Sequence, residues 1–415
     1  MPTPATNLRI DGQRLWDALM EMARIGATAK GGCNRQTLTD LDREGRDLFR
    51  RWCEAAGLTV TVDEMGNMFA RRRGRRDDLP PVVMGSHLDT QPTGGKFDGV
   101  GGVLCALEVV RTLNDAGYET DHPLIVVNWT NEEGTRFAPA MLASGVWAGA
   151  FTKEFAYART DRDGKLFGEE LVRIGYQGEL PCAPQDWKCH LELHIEQGPI
   201  LEAEGKEIGV VTGGQGIRWL DVTITGKESH AGSTPMPRRK DALVAAAKVV
   251  TRLDEIAREH APHGVTTVGE LRIAKPSRNV IPGEVFFTVD MRHPEHAVIE
   301  AMEAKLRAAV DDACARDGLP HKVEQIWYFP PVAFDPRCIA AVRGAAQELG
   351  YGWREMVSGP GHDSCYTARK VPTAMIFVPC KDGLSHNEEE WAEPAHMEAG
   401  CNVLLRAALK LAQAG

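Results

Sequence analysis

The stretch LPPVVMGSHLDTQPTGGKFDGVGGVLCALEVVRTLNDAG, residues 79–117, does most to restrict what this chain can fold into. A strand-length apolar run stops at His87, a loop of Pro and Gly carries Asp89 and Asp98, and a helix-length apolar pattern follows. The unit recurs. HPLIVVNWTNEEG precedes a helical pattern near MLASGVWAGAF, and far downstream the strand PTAMIFVP precedes the helix AHMEAGCNVLLRAALKLAQ. Strands alternating with helices predict an α/β domain around a largely parallel mixed sheet. An imidazole and two carboxylates at the mouth of a core strand are costly to bury alone, and pairing with a metal ion removes that cost.

Upstream, GQRLWDALMEMARIGA and TLTDLDREGRDLFRRWCEAAG have helical spacing, the second closing on Gly57. LTVTVDEMGNMFARRRG alternates and turns at Met65-Gly66, as a hairpin does. The basic run Arg71 to Arg76 adjoins Asp77 and Asp78 in a chain of net charge -10, so it reads as a solvated hairpin end. The acidic balance argues against nucleic-acid and anionic-membrane partners. KCHLELHIEQG alternates strictly, with Leu191, Leu193 and Ile195 on one side and His190, Glu192, His194 and Glu196 on the other.

The middle of the chain changes character. IRWLDVTITGKES, TTVGELRIA, GEVFFTVDMR and HKVEQIWY read as strands, with helices DALVAAAKVVTRLDEIAREH and HAVIEAMEAKLRAAVDDACARDG between them. The order β-α-β-β-α-β predicts a ferredoxin-like inserted domain. At 415 residues the chain exceeds one typical core. The boundaries expected are 1–213 plus 329–415 for the α/β domain and 214–328 for the insert. Ten cysteines without a C-x-x-C pair read as free thiols of a reducing compartment, the start has no secretory pattern, and no apolar stretch spans a bilayer. A cytoplasmic location is expected.

Polar clusters fall where sheet strands should end: His87 with Asp89, Glu132 with Glu133, His194, and His386. Asp98 lies where a helix should begin. Three imidazoles and several carboxylates suit a pair of borderline metals such as zinc, with Asp89 placed to accept the other ring N–H of His87. Each group also has a plain structural explanation: Asp98 as a helix cap, Glu132 and Glu133 as solvated loop charges, His194 and His386 as ordinary exposed histidines.

The motifs MGSHLDTQPTGGKFDG, NWTNEEGTRFAPAMLASGVWAG, LELHIEQGPIL, GKESHAGSTPMPRRKDAL, SRNVIPG, VDMRH, SGPGHDS and GLSHNEEEW occur in this order over nearly the whole chain. They resemble the hydantoinase/carbamoylase branch of the M20 metallopeptidase-like amidohydrolases. The resemblance implies two divalent metal ions per subunit, zinc first, with Mn, Co or Ni also accepted. His87 and His194 would hold one, Glu133 and His386 the other, and Asp98 would bridge them. Peptidase relatives usually carry a carboxylate at the position of His194. Glu132 would be the general base, with Asp89 beside His87 in support. His230, Asn279 and Arg292 of the insert match substrate-site residues that a partner subunit supplies, which implies a homodimer with the insert as lid. Gln197, His362 and Ser385 match the substrate pocket on the α/β domain. His190, His293, His296, His321 and His396 match no ligand position. Two departures fall near the pocket: Pro360, where relatives often have Ala, and Asn-Glu-Glu-Glu after His386, where many have a nearby Pro.

The activity implied is hydrolysis of an N-carbamoyl amino acid, N-carbamoyl-β-alanine or an N-carbamoyl-L-amino acid, to the amino acid, carbon dioxide and ammonia. The attacking hydroxide would come from a water bridging the metals, with Glu132 taking its proton. Allantoate amidohydrolase is the nearest alternative. An N-acyl amino acid amidase or dipeptidase, or a non-catalytic metal-binding protein, would be further ones.

Overall fold

The computed structural model describes residues 7–413 and divides the chain into two compact units. One is built from the segments up to Gly213 and from Ala333 onward; the other is Gly214–Val332.

The first unit is organised on a mixed sheet. Its centre is four neighbouring parallel strands, in the order Leu124–Trp129, Val82–His87, Cys189–Ile195 and Thr373–Val378. Antiparallel neighbours flank this block: Met68–Arg72 with Thr59–Val62 on one side, and Ile208–Gly214 on the other. Every residue of the four central strands is buried, as expected when helices cover both faces. The helix Val100–Asp115 packs on Val82–His87 and Cys189–Ile195, and Pro394–Leu411 packs on that helix in turn.

The alternating segment KCHLELHIEQG therefore has no solvated face. Its polar side enters a buried network in which Glu192 accepts hydrogen bonds from Ser86 Oγ and Ser364 Oγ, each at 2.6 Å. Several elements escaped the sequence analysis. The strand Ile208–Gly214 is broken up by three glycines and Trp353–Ser358 is half polar, while the helices Lys153–Tyr157, Phe167–Arg173 and Ile200–Glu204 are too short for their periodicity to stand out. Arg71 and Arg76 form ion pairs with Asp77 and Asp78 at the hairpin end. The ten cysteines are all free and buried. Among the described residues no helix is long and apolar enough to cross a membrane.

In the second unit an antiparallel sheet runs Leu271–Ile273, Glu284–His293, Gly216–Thr225, His321–Phe329. The helices Ala242–Glu259 and His296–Ala315 pack on each other and share a core with the strands, through Val249, Leu253, Met302 and Leu306 against Leu220, Val222, Val285 and Phe287. The single strand expected over TTVGELRIA is interrupted. Thr267 pairs with Asp290 but Leu271 with Phe287, so four steps on one strand meet three on the other, a bulge at Gly269.

Candidate functional site

Because the four central strands are parallel, their carboxyl ends open on one edge of the sheet. His87 is the last residue of its strand and His194 the last but one of its own. Glu132 and Glu133 follow the strand that ends at Trp129, and His386 follows the one that ends at Val378. Asp98 does not cap the helix Val100–Asp115, whose N-cap is Gly99. Its carboxylate points at the histidines instead. Oδ1 lies 3.1 Å from His194 Nε2 and 3.4 Å from His87 Nε2, and Oδ2 lies 3.4 Å from His386 Nε2. Glu133 Oε2 is 3.5 Å from His386 Nε2, and Glu132 Oε2 is 3.5 Å from His87 Nε2. All five expected ligand residues and the expected base are thus together at one strand edge.

The ring orientations show what the cluster suits. His87 Nδ1 faces the carbonyl oxygen of Asp89 at 2.9 Å, and His194 Nδ1 that of Ile195 at 3.0 Å. Each Nδ1 therefore carries a proton, and each Nε2 is aimed at Asp98. His87 Nε2 is buried without a hydrogen-bond partner. A ring nitrogen facing a carboxylate at these distances needs positive charge between the two, either a proton on the ring or a metal ion in its place. His87, Asp98 and His194 form one set whose donor atoms all lie within 4.8 Å of one another, and Asp98, Glu133 and His386 form a second. Imidazole with carboxylate is a borderline donor set that suits zinc and its neighbours.

The titration behaviour reflects the same crowding. Burial pushes Glu132 well above the usual carboxylate range, and the charges of Asp363, Glu133 and Asp98 add to the effect. Burial and Asp98 push Glu133 up to about 7. Burial alone would raise Asp98, but the surrounding imidazoles, His194 foremost, outweigh it and hold this carboxyl well below its ordinary value.

Asp89 is placed differently from expectation. The strand stops at His87, so it is the Asp89 carbonyl that meets the ring, while its carboxylate oxygen is 3.7 Å away. That carboxylate instead accepts the backbone N–H groups of Glu132 and Glu133, each at 3.3 Å. Asn131 (φ 60°) and Gly134 (φ 65°) bracket the turn, which explains how adjacent glutamates both face the centre. Gln197 donates to Asp98 Oδ2 at 2.8 Å, and Ser385 Oγ lies 2.9 Å from the same oxygen. The His362 ring is buried against His194, with centroids 4.5 Å apart.

In the second unit, His230 lies on a two-residue ladder opposite Val280, and the Asn279 carbonyl accepts from Ala231. His230 Nδ1 accepts the N–H groups of Gly232 and Ser233 at 3.1 Å, so its Nε2 carries the proton and is a donor. Arg292 is engaged along its own strand: Nε and Nη2 donate to the two oxygens of Asp290 at 2.9 and 2.8 Å. The histidines that match no ligand position are held locally. His190 lies in the network around Glu192, His293 accepts from Glu295 N, and His321 meets Asp311.

Sequence reasoning missed Gln91 and Glu390. Gln91 donates through N and Nε2 to the two oxygens of Glu133. Glu390, inside the Asn-Glu-Glu-Glu departure, is buried behind Asp98. A buried acid in so polar a tripeptide leaves no signal in composition or period.

Residues 83–410 match the peptidase family M20/M25/M40. This chain belongs to that family. Within M20 it is 53% identical over 413 residues to an N-carbamoyl-L-amino-acid amidohydrolase of Rhizobium meliloti, covering 100% of this chain and 99% of that protein. An allantoate amidohydrolase of Bacillus subtilis (strain 168) is 33% identical over 398 residues, 95% of this chain and 97% of the relative. The crystal structure of an amidase of the hydantoinase/carbamoylase family from Burkholderia multivorans superposes with a TM-score of 0.95 at 60% identity, covering 98% of each chain. The M20 chain is a hydrolase of the hydantoinase/carbamoylase branch, as its motifs implied.

Proposed function

We propose that the protein hydrolyses the ureido C–N bond of an N-carbamoyl amino acid, releasing the amino acid, carbon dioxide and ammonia. The observation that carries this reading is the pair of donor sets sharing Asp98, with Glu132 beside them and outside both. A binding protein has no use for that extra buried acid. The relative named for N-carbamoyl-L-amino acids favours an α-amino acid product over β-alanine.

Divalent ions held by His87, Asp98 and His194 and by Asp98, Glu133 and His386 would supply positive charge that acidifies water and polarises a carbonyl. Glu132 takes the proton of the attacking water and returns it to the leaving nitrogen. The Asp89 carboxylate holds the Glu132–Glu133 backbone so that both side chains face inward. His230, as an Nε2–H donor, would polarise the substrate carbonyl, and Arg292 with Asn279 would grip the substrate carboxylate. Gln197, Ser385 and His362 line the α/β side of the pocket in this reading.

The strand order of the second unit, with both helices in one core, supports a ferredoxin-like lid over 214–328. Its His230, Asn279 and Arg292 acting on the partner's centre would make the enzyme a homodimer. The ten free, buried cysteines support a cytoplasmic location.

The test is ammonia release from N-carbamoyl-L-amino acids, N-carbamoyl-β-alanine and allantoate, with Glu132→Gln as control. The variant is expected to retain its metal and lose roughly 10²–10⁴-fold in kcat. Equal inertness of wild type and control on every substrate, with zinc or manganese supplied, refutes the reading; turnover of allantoate alone moves the substrate to that alternative.

A further inference from the structure

Glu390 is 2% exposed and sits behind the cluster without joining either donor set. Its Oε1 accepts the backbone N–H groups of Phe97 at 2.9 Å and Asp98 at 3.1 Å. Its Oε2 lies 3.0 Å from Ser385 Oγ, which is also 2.9 Å from Asp98 Oδ2. One side chain therefore joins the loop that delivers Asp98 to the loop that delivers His386. The loops are built to receive it. A Cβ at Gly95 would lie 2.1 Å from the Glu390 carboxyl carbon, so only glycine leaves the space. Trp391 and Phe97, the neighbours of Glu390 and Asp98 on the two loops, meet edge-on with centroids 5.6 Å apart, and Trp16 stacks on Phe97.

His386 needs such an anchor. Its side chain is 50% exposed, and its backbone has φ 54°, a left-handed conformation that persists only when its surroundings hold it. Resting on the reading of the centre proposed above, we propose that Glu390 is a positioning residue that latches the His386 loop to the Asp98 loop and so sets the affinity of the second metal ion. The first ion shares Asp98 but takes its other two donors, His87 and His194, from strand ends, so it leans on the latch less than the second ion does.

Zinc titration of the metal-stripped full-length protein, by calorimetry or against a chromophoric chelator, tests this without reference to turnover. Wild type is expected to take up two equivalents. Glu390→Ala is expected to weaken the second at least tenfold and the first by much less. Gly95→Ala, which pushes the carboxylate out from the other loop, is expected to do the same, and it carries the test if Glu390→Ala does not fold. Glu390→Gln keeps a carbonyl for the two amides and an NH₂ for the Ser385 oxygen, so it restores the second equivalent to within tenfold of wild type. A second ion held within tenfold in Glu390→Ala and Gly95→Ala overturns the proposal. So does equal weakening of both ions, or a Glu390→Gln variant no better than Glu390→Ala. A wild type that takes up no zinc overturns the reading of the centre instead.

Discussion

At the scale of single residues, the same side-chain type does different work according to burial and partners. His87 and His194 spend one ring nitrogen on a backbone carbonyl and aim the other at Asp98. His190, on the same strand as His194, meets the Glu192 carboxylate only through the Ser364 hydroxyl. Burial pushes its imidazole down to about 4, and it is held by the Ser364 and Thr367 hydroxyls. The consequence for stability has a definite sign. Between pH 6.5 and 4 the unfolded chain binds a proton at His190 that the folded chain refuses, so stability falls as pH drops through that window and levels off below it. The contribution amounts to about 3 kcal/mol in all. Denaturant unfolding of metal-stripped protein at pH 7 and 4.5 is expected to show a difference about 2–3 kcal/mol smaller in His190→Gln than in wild type. Identical differences would show that His190 is protonated in the fold.

At the scale of elements, the centre depends on how each strand ends. Four strands stop where the chain must turn to present a donor, and positive φ angles at Asn131, Gln197 and His386 mark the price of those turns. The loop into the helix Val100–Asp115 leaves no room for a side chain at Gly99. Gly99 has φ 65°, and a Cβ there would lie 2.3–2.4 Å from the His87 ring atoms. Gly99→Ala is expected to displace His87, weaken the first zinc ion at least tenfold and leave the overall fold intact. Zinc titration with a circular-dichroism control checks this; unchanged affinity of the first ion would mean that the ring and loop relax together. The element pattern was largely legible beforehand, since strands such as Val82–His87 and helices such as Val100–Asp115 have the length that makes period and termination visible. The glycine-rich Ile208–Gly214, the half-polar Trp353–Ser358 and the bulge at Gly269 were not, because they offer neither a continuous apolar run nor a clean alternation.

At the scale of the whole molecule, two compact units divide the work proposed for them: one gathers the acids and imidazoles, the other carries His230, Asn279 and Arg292. Catalysis across a dimer makes a direct expectation. Glu132→Gln and His230→Ala proteins, each inactive alone, should regain activity when mixed under conditions that exchange subunits, up to roughly a quarter of wild type for a two-fold dimer. Assay of the mixture beside each parent checks this. No recovery despite exchange shown by light scattering and tagged subunits would place both residues in the same chain's site.

The sequence by itself determined the α/β class, because apolar period is a local property of the polymer, and through its motifs' resemblance to a family it offered the candidate donors. Only the tertiary structure decided which atoms those residues present. It turned the Asp89 carboxylate away from His87 toward two backbone amides, occupied Arg292 with Asp290, and buried Glu390 behind Asp98. Hydrogen-bond direction depends on where a strand stops and which loop packs behind it, and contacts between residues hundreds of positions apart leave no mark in the order of the letters.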